Sequence, residues 1–310
     1  MGNKIVVTGS LAYDYIFDFP GKFADNIDPS KLHILNLSFL VTDLRKGAGG
    51  TAGNIAYNLG LLEVPIKLLA VAGNDFDNHR KHLEEVGVET SNIKIISDES
   101  TALAMIMTDS VNNQISAFYP GAMNHSSELT LDTISEPVDF LIIAPDLPKT
   151  MIKLAQEAME KKIPYLFDPG MQLPRLTNQE LEEGIRGATI LIGNDYEMGL
   201  MIKRLGNDLI RTVPIVITTL GEKGSIIEQG NKKIEIKPSL PSQVLDPTGA
   251  GDAYRAGFMA GFLKEKDLKV CGQMGSLTAC YTVEKYGTTT HHFTKEEFKE
   301  RYIKNYDKEF

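Results

Sequence analysis

Short runs of apolar, mostly β-branched residues recur along the chain at 5–7, 67–71, 140–143, 165–167, 189–192 and 215–218. Each is nearly all apolar rather than alternating, the pattern of strands buried on both faces of a mainly parallel sheet. Between them, helical spacing predicts helices over 53–62, 75–85, 149–161, 178–185 and 196–204. This alternation predicts an α/β fold with helices on both faces of the sheet. After residue 218 the pattern changes to a hairpin (224–229 and 232–237 across Gly230-Asn231), then helices at 251–264, 268–285 and 294–306.

Two segments break the alternation. Residues 15–44 hold extended pieces at 15–19 and 34–41 around a polar loop with Pro20 and Pro29, and residues 101–119 read as a hairpin of 102–108 and 114–119. Together they make either a small second sheet, inserted twice as a lid over the body, or a pair of edge hairpins on one sheet. The expected division is a body of residues 1–14, 45–100 and 124–310, with lid insertions at 15–44 and 101–123.

The composition is that of an ordinary globular chain: 310 residues, 42% hydrophobic and 24% charged. Thirty-two basic against 41 acidic residues give a net charge of −9, which argues against nucleic acid or an anionic membrane as partner. An anionic substrate would have to be held by a few placed cations, amides or a metal. The two cysteines, Cys271 and Cys280, supply neither a disulfide framework nor a four-thiolate site. With no basic-then-apolar leader and no apolar window near ~18 residues, the expectation is a cytoplasmic protein.

The densest chemistry lies in Asp246-Pro247-Thr248-Gly249-Ala250-Gly251-Asp252, which opens a helix. Gly249 and Gly251 let the backbone turn tightly and aim amides at one point, where the helix N-terminus favours an anion. A carboxylate at Asp252 would repel phosphate as a ligand, but suits a base for a hydroxyl that attacks phosphate. The other reading is a helix-start acid favoured by the dipole, with the glycines forming a turn.

The stretch DPTGAGDAYRAGF (246–258) resembles the carboxy-terminal signature of the ribokinase-like, or PfkB, carbohydrate and nucleoside kinases. Gly49-Gly50-Thr51-Ala52-Gly53-Asn54 is similar to that family's first signature. Asn194-Asp195-Tyr196-Glu197 is similar to its Asn-x-x-Glu motif, and Thr219-Leu220-Gly221-Glu222-Lys223-Gly224 to its nucleotide loop. The resemblance implies a three-layer α/β/α body with a mainly parallel sheet and a small β-sheet lid. It also implies an ATP-dependent phosphotransferase acting on an alcohol group, with Mg²⁺ and a monovalent cation such as K⁺ as cofactors.

Carried over residue by residue, it makes Asp252 the catalytic base and the amides of Gly249, Ala250 and Gly251 the anion hole. Asp14, Gly50 and Asn54 would bind the substrate. Asn194, Thr219, Gly221, Gly224 and His291 would bind ATP, with Glu197 organising Mg²⁺ through water. Asp246 and Thr248 would hold the monovalent cation, although an Asx turn before Pro247 explains them equally. Asn194 and Glu197 also read as a helix cap, and both roles can hold at once. Arg255 reads either as a phosphate contact or as a surface ion pair.

The expected substrate is a small molecule, adenosine or another purine nucleoside. Leu35, Leu37, Phe39, Leu40 and Phe118 on the two insertions suit a cover for a flat base, and strings such as NQISAFYPGAM and DPGMQLPRL are similar to bacterial adenosine-kinase-like members. A ribose or fructose kinase of the same family is the alternative, followed by a non-catalytic sensor on the kinase fold. No P-loop sequence occurs, and the glycines of 47–53 do not directly follow the first strand, which excludes a dinucleotide fingerprint. The oligomeric state stays open between monomer and homodimer.

Overall fold

The computed structural model describes residues 4–28, 34, 36–111 and 113–310. In chain order the strands are β1 (Ile5–Thr8), β2 (Ala12–Asp18), β3 (Asp43–Gly49), β4 (Ile66–Gly73), β5 (Ile93–Ile96), β6 (Ala102–Thr108) and β7 (Gln114–Tyr119). They continue as β8 (Phe140–Ile143), β9 (Tyr165–Phe167), β10 (Ile190–Asn194), β11 (Ile215–Thr219), β12 (Ser225–Gln229) and β13 (Lys232–Ile236). The helices are α1 (Thr51–Leu61), α2 (Asp77–Glu84), α3 (Pro148–Glu160), α4 (Asn178–Arg186) and α5 (Asp195–Leu205), then α6 (Asn207–Ile210), α7 (Ala250–Phe262), α8 (Leu268–Val283) and α9 (Lys295–Tyr306).

Among the described residues the large sheet has the order β13-β12-β11-β10-β9-β8-β1-β4-β5. All of its pairings from β5 to β11 are parallel, and only β12 and β13 run antiparallel at one edge. Residues of alternate parity on each strand feed two separate cores. Val7, Ile142, Leu166, Ile192 and Ile217 pack with α1, α2, α7, α8 and α9 on one face. Val6, Leu141, Phe167, Leu191 and Val216 pack with α3, α4, α5 and α6 on the other. This three-layer arrangement brings the carboxyl ends of β1, β4, β8, β9, β10 and β11 to one rim. Ligands of open α/β sheets bind at such a rim, beside the strand from which the chain departs in opposite directions. Here that strand is β1, flanked by β4 and β8. No helix among the described residues is long and apolar enough to cross a membrane.

The two insertions form a separate four-stranded sheet, β3-β2-β6-β7, rather than edge hairpins on the body. Its strands reach further towards the body than the sequence pattern implied, since β2 begins at Ala12 and β3 ends at Gly49. The strand expected at 34–41 is not there. Residues 36–41 form no strand, and β3 lies at Asp43–Gly49 instead. Its sequence, DLRKGAG, has no β-branched residue. It is extended because it pairs with β2 in unbroken register, from Ala12↔Gly49 to Asp18↔Asp43, a case of tertiary pairing overriding propensity.

One helix is buried on every side. Residues 253 to 261 of α7 are all shielded, as expected of a helix apolar all round, and it packs against α1 and α8. Phe258, fully buried, stacks on Phe262 with ring centres 6.1 Å apart. Phe258→Ala should therefore cost roughly 3–5 kcal/mol, read as a lower urea midpoint at unchanged m-value.

Candidate active site

The floor of the site is built where β1 leaves the sheet. The Ser10 amide donates to the Pro145 carbonyl beyond β8 (3.0 Å), and the Thr51 hydroxyl donates to the same carbonyl (3.1 Å). Gly50 caps α1 at φ 85°, and a Cβ there would lie 2.6 Å from the Ser10 carbonyl and the Ala12 amide. At Gly49 a Cβ would fall on the carboxylate of Asp14. The paired glycines therefore let α1 start directly beneath Asp14. Burial, reinforced by the charge of Asp246, pushes Asp14 up to about 6.

Asp252 stands at the start of α7. Its Oδ2 accepts a 2.8 Å hydrogen bond from Asn54 Nδ2 on α1, and Asn54 Oδ1 is buried without a partner. Burial raises Asp252 to about 6; Arg255 and the Asn54 bond oppose the shift, while Asp168 and Asp14 add to it. Gly249 precedes the helix in the left-handed region at φ 78°. Among the described residues the amides of Gly249, Gly251 and Asp252 have no acceptor, whereas that of Ala250 already donates to the Pro247 carbonyl at 3.2 Å. The unpaired amides at this helix start are thus those of Gly249, Gly251 and Asp252 itself, while the Ala250 amide, expected among them, is engaged in a turn.

Arg255, expected at a phosphate or in a surface ion pair, forms an ion pair that is buried rather than at the surface. It is buried and paired with buried Asp168 at the end of β9, Nη2 donating to Oδ1 at 2.9 Å and Nε closing on Oδ2.

Across the rim, Asn194 ends β10 and caps α5. Its Oδ1 accepts the Glu197 amide and Glu197 Oε2 accepts the Asn194 amide, both at 2.8 Å. Register pairs Asn194 with Thr219 at the end of β11. The following loop is closed by Leu220 N–H to the Gly224 carbonyl (2.8 Å), with φ 58° at Gly221 and φ 90° at Gly224. Asn194, Glu197, Thr219, Gly221 and Gly224 thus lie at the adjoining ends of β10 and β11. Glu197 is raised by burial and by Asp168, against the Asn194 amide and Arg255. Asp168 and Arg255 therefore act on both carboxylates, Asp252 and Glu197. No group of three or more His, Cys, Asp or Glu side chains gathers as a metal cage among the described residues.

Family comparison agrees with this geometry. The family model "pfkB family carbohydrate kinase" matches residues 3–295. The chain belongs to the PfkB family. A nucleoside kinase of Methanocaldococcus jannaschii is 35% identical over 307 residues, 97% of each chain. A Burkholderia thailandensis nucleoside kinase solved with inosine superposes at a TM-score of 0.89, with 33% identity and coverage of 98% and 99%. The same protein with ADP-inosine gives 0.86, at 33% identity and coverage of 98% and 97%. PfkB kinases are phosphotransferases acting on hydroxyl groups, and so is this chain.

His291 meets a different structure from the one expected in this PfkB kinase, and Asp246 forms the Asx turn that was one of its two readings. His291 does not line a ligand surface. Its ring is 1% exposed, its Nε2 meets Asn58 Oδ1 at 2.8 Å, and its carbonyl accepts from Tyr57 at 2.6 Å. Burial pulls it down to about 4, so it is neutral at physiological pH and ties the segment after α8 to α1. Asp246 spends one oxygen on the Thr248 amide (2.9 Å) and the other on the Gly287 amide (3.0 Å), the Asx-turn arrangement. The loop after Asp246 is braced from 286–288: Thr288 Oγ1 donates to the Ala48 carbonyl at 2.9 Å, and Arg45, paired with Asp18, lies 4.9 Å over the Tyr286 ring.

Strand alternation and register put Asp14, Ile16, Ala104, Ile106 and Phe118 on one face of the lid, and Asp14 lies close enough to Asp252 to act on its charge. Phe118 is 47% exposed there. Two of the other expected wall residues, Phe39 and Leu40, do not join it. Phe39 packs edge-on against Phe19 and Phe23 at 4.9 and 5.2 Å, Leu40 is turned to solvent, and Leu35 lies outside the described residues. Sequence reasoning also missed Asp168. The available signal was an acid followed by Pro-Gly directly after a central strand of a parallel sheet, a position that faces the rim.

Three outcomes are expected of this PfkB kinase. Asp252→Asn should bind nucleotide normally and lose at least ~10²-fold in turnover; near-wild-type turnover would remove Asp252 from the chemistry. Wild-type activity should fall on acidification through about pH 6 as Asp252 takes up a proton. The linkage to stability has the opposite sense. A carboxyl raised in the fold binds its proton more tightly there than in the unfolded chain, so its contribution is lost as pH rises from the ordinary carboxylate range through about 6. Asp252→Asn should accordingly melt no lower than wild type at pH 7.5, and higher if burial dominates.

Proposed function

We propose that this PfkB kinase transfers the γ-phosphoryl group of ATP to the 5′-hydroxyl of a purine nucleoside. One observation carries this reading: a half-exposed aromatic ring, Phe118, shares a lid face with Asp14, which lies close enough to the partly buried carboxylate of Asp252 to act on its charge. A nucleoside has parts for each. The base stacks on Phe118, Ile16 and Ile106, the ribose hydroxyls donate to Asp14, and the 5′-hydroxyl reaches Asp252. The nucleoside kinases to which the chain is similar, one of them crystallised with inosine and with ADP-inosine, support the substrate class.

In this reading Asp252 accepts the hydroxyl proton while the hydroxyl oxygen attacks the γ-phosphorus and the bond to ADP breaks. Developing charge on the phosphoryl oxygens is met by the amides of Gly249, Gly251 and Asp252 at the positive end of α7. Asn54 aims the base. Asn194, Thr219 and the Gly221–Gly224 turn hold the nucleotide. Glu197 keeps Oε1 free beside its cap, which suits an ion that prefers one carboxylate, waters and phosphate oxygens. Magnesium bound there would neutralise phosphate charge. Asp246 and Thr248 are the residues that would hold a monovalent cation. The buried free thiols of Cys271 and Cys280 suit a reducing cytoplasm.

The test is kcat/KM for adenosine, inosine, ribose and fructose with Mg-ATP. The nucleosides should win by tenfold or more, and a tenfold preference for ribose or fructose would make the chain a sugar kinase instead. Phe118→Ala should lower kcat/KM for the preferred nucleoside by roughly ten- to a hundredfold, the worth of one base–aromatic stack of about 1–3 kcal/mol, and leave ribose unchanged.

A further inference from the structure

The buried pair Asp168–Arg255 has no evident reason to exist for stability. Its side chains are 1% and 8% exposed, and a buried ion pair seldom outperforms apolar packing of the same volume. Its geometry points elsewhere. Arg255 follows Asp252 by three residues on α7, so the two side chains rise from the same face of the helix. Of the guanidinium nitrogens, Nη2 donates to Asp168 Oδ1, and Nε lies against Oδ2 as an ion-pair contact without a hydrogen bond. The third, Nη1, donates to no protein acceptor among the described residues, and it is the atom a Cβ at Gly251 would meet at 2.8 Å. Glycine at 251 thus lets a fixed cation pack against the backbone that carries the unpaired amides.

We propose that Asp168 and Arg255 are positioning residues: Asp168 clamps the guanidinium against Gly251, and the clamped charge keeps the Asp252 carboxylate ionised and aimed. This rests on the reading of Asp252 as the base. The groups acting on that carboxylate are Arg255 on its own helix, Asn54 from α1, Asp168 from the end of β9 and Asp14 from the lid. Burial, Asp168 and Asp14 all favour its protonated form. Arg255 is the one cation among them, and only the Asn54 bond supports it. Because the pair also lies within electrostatic reach of Glu197, it joins the acceptor side of the site to the nucleotide side.

The experiment is the pH dependence of kcat/KM for wild type, Arg255→Gln, Arg255→Lys and Asp168→Asn, with folding checked by circular dichroism and thermal melting. In Arg255→Gln the acidic limb should move up by about one pH unit or more, so that activity lost at pH 7 partly returns at pH 9. Arg255→Lys should keep the limb near its wild-type position. Asp168→Asn should move it down, because one carboxylate is gone and the arginine is less neutralised, while kcat falls at every pH as the guanidinium loses its clamp. Opposite displacements are a signature that a packing role does not produce. If both neutral variants lose activity with the limb unmoved, or if neither folds, the proposal is overturned and the pair is a folding element. Asp252→Asn separates the two levels. An active Asp252→Asn enzyme rejects the base itself, whereas an inactive one alongside unmoved limbs rejects only the Asp168–Arg255 inference.

Discussion

Everything at the rim answers to one conflict, a carboxylate at the head of a helix that has no wet side. α7 lies between the sheet, α1 and α8, and its central residues are shielded throughout. A base near water would be ionised but poorly aimed and weakly basic. A carboxylate partly buried like Asp252 is aimed by its Asn54 bond, but burial presses it towards its neutral form. The Asn54 amide and the Arg255 cation hold the balance from one side, and Asp14 and Asp168 weigh on the other. The result is a carboxyl whose affinity for protons lies close to working pH, where a general base is most effective.

The same arrangement explains how a chain of net charge −9 can be built to receive polyphosphate. No basic surface is needed when attraction is delivered locally by unpaired amides at a helix N-terminus and by one buried guanidinium behind them. Local fields in a dry site outweigh distant surface charges, which solvent and salt screen. The acidic exterior therefore bears on solubility more than on ligand capture.

The body was legible in the sequence because buried parallel strands are short apolar runs and their intervening helices are amphipathic; six of its strands appear where the periodicity puts them. The placement of Asp252, Asn194 and Glu197 at helix starts on the rim was legible because it sits in local motifs, where one turn of backbone brings the groups together. What escaped was non-local. β3 has no strand composition and owes its form to its partner β2. The engagement of the Ala250 amide depends on the curl of the loop at Pro247. His291 resembles a ligand in a loop until Tyr57, Asn58 and Phe293 close around it. Asp168 and Arg255 are 87 residues apart and meet only because β9 ends beside the start of α7.

The lid joins the body through the floor of the pocket. β1 runs into β2 across Gly9–Leu11, β3 runs into α1 across Gly50, and β6 leaves the body at Thr101, whose hydroxyl accepts from the Gly73 amide. These crossings adjoin Asp14, Gly49 and Asn54. Tilting the lid therefore does more than open or close an entrance, because it changes the span between Asp14 and Asp252. The enclosure is in effect a caliper. Its jaws are a carboxylate on the lid and a carboxylate on the body, and on the function proposed above a molecule would be held in reacting position only when the distance between its gripped hydroxyls and its reacting hydroxyl matched the setting of the jaws.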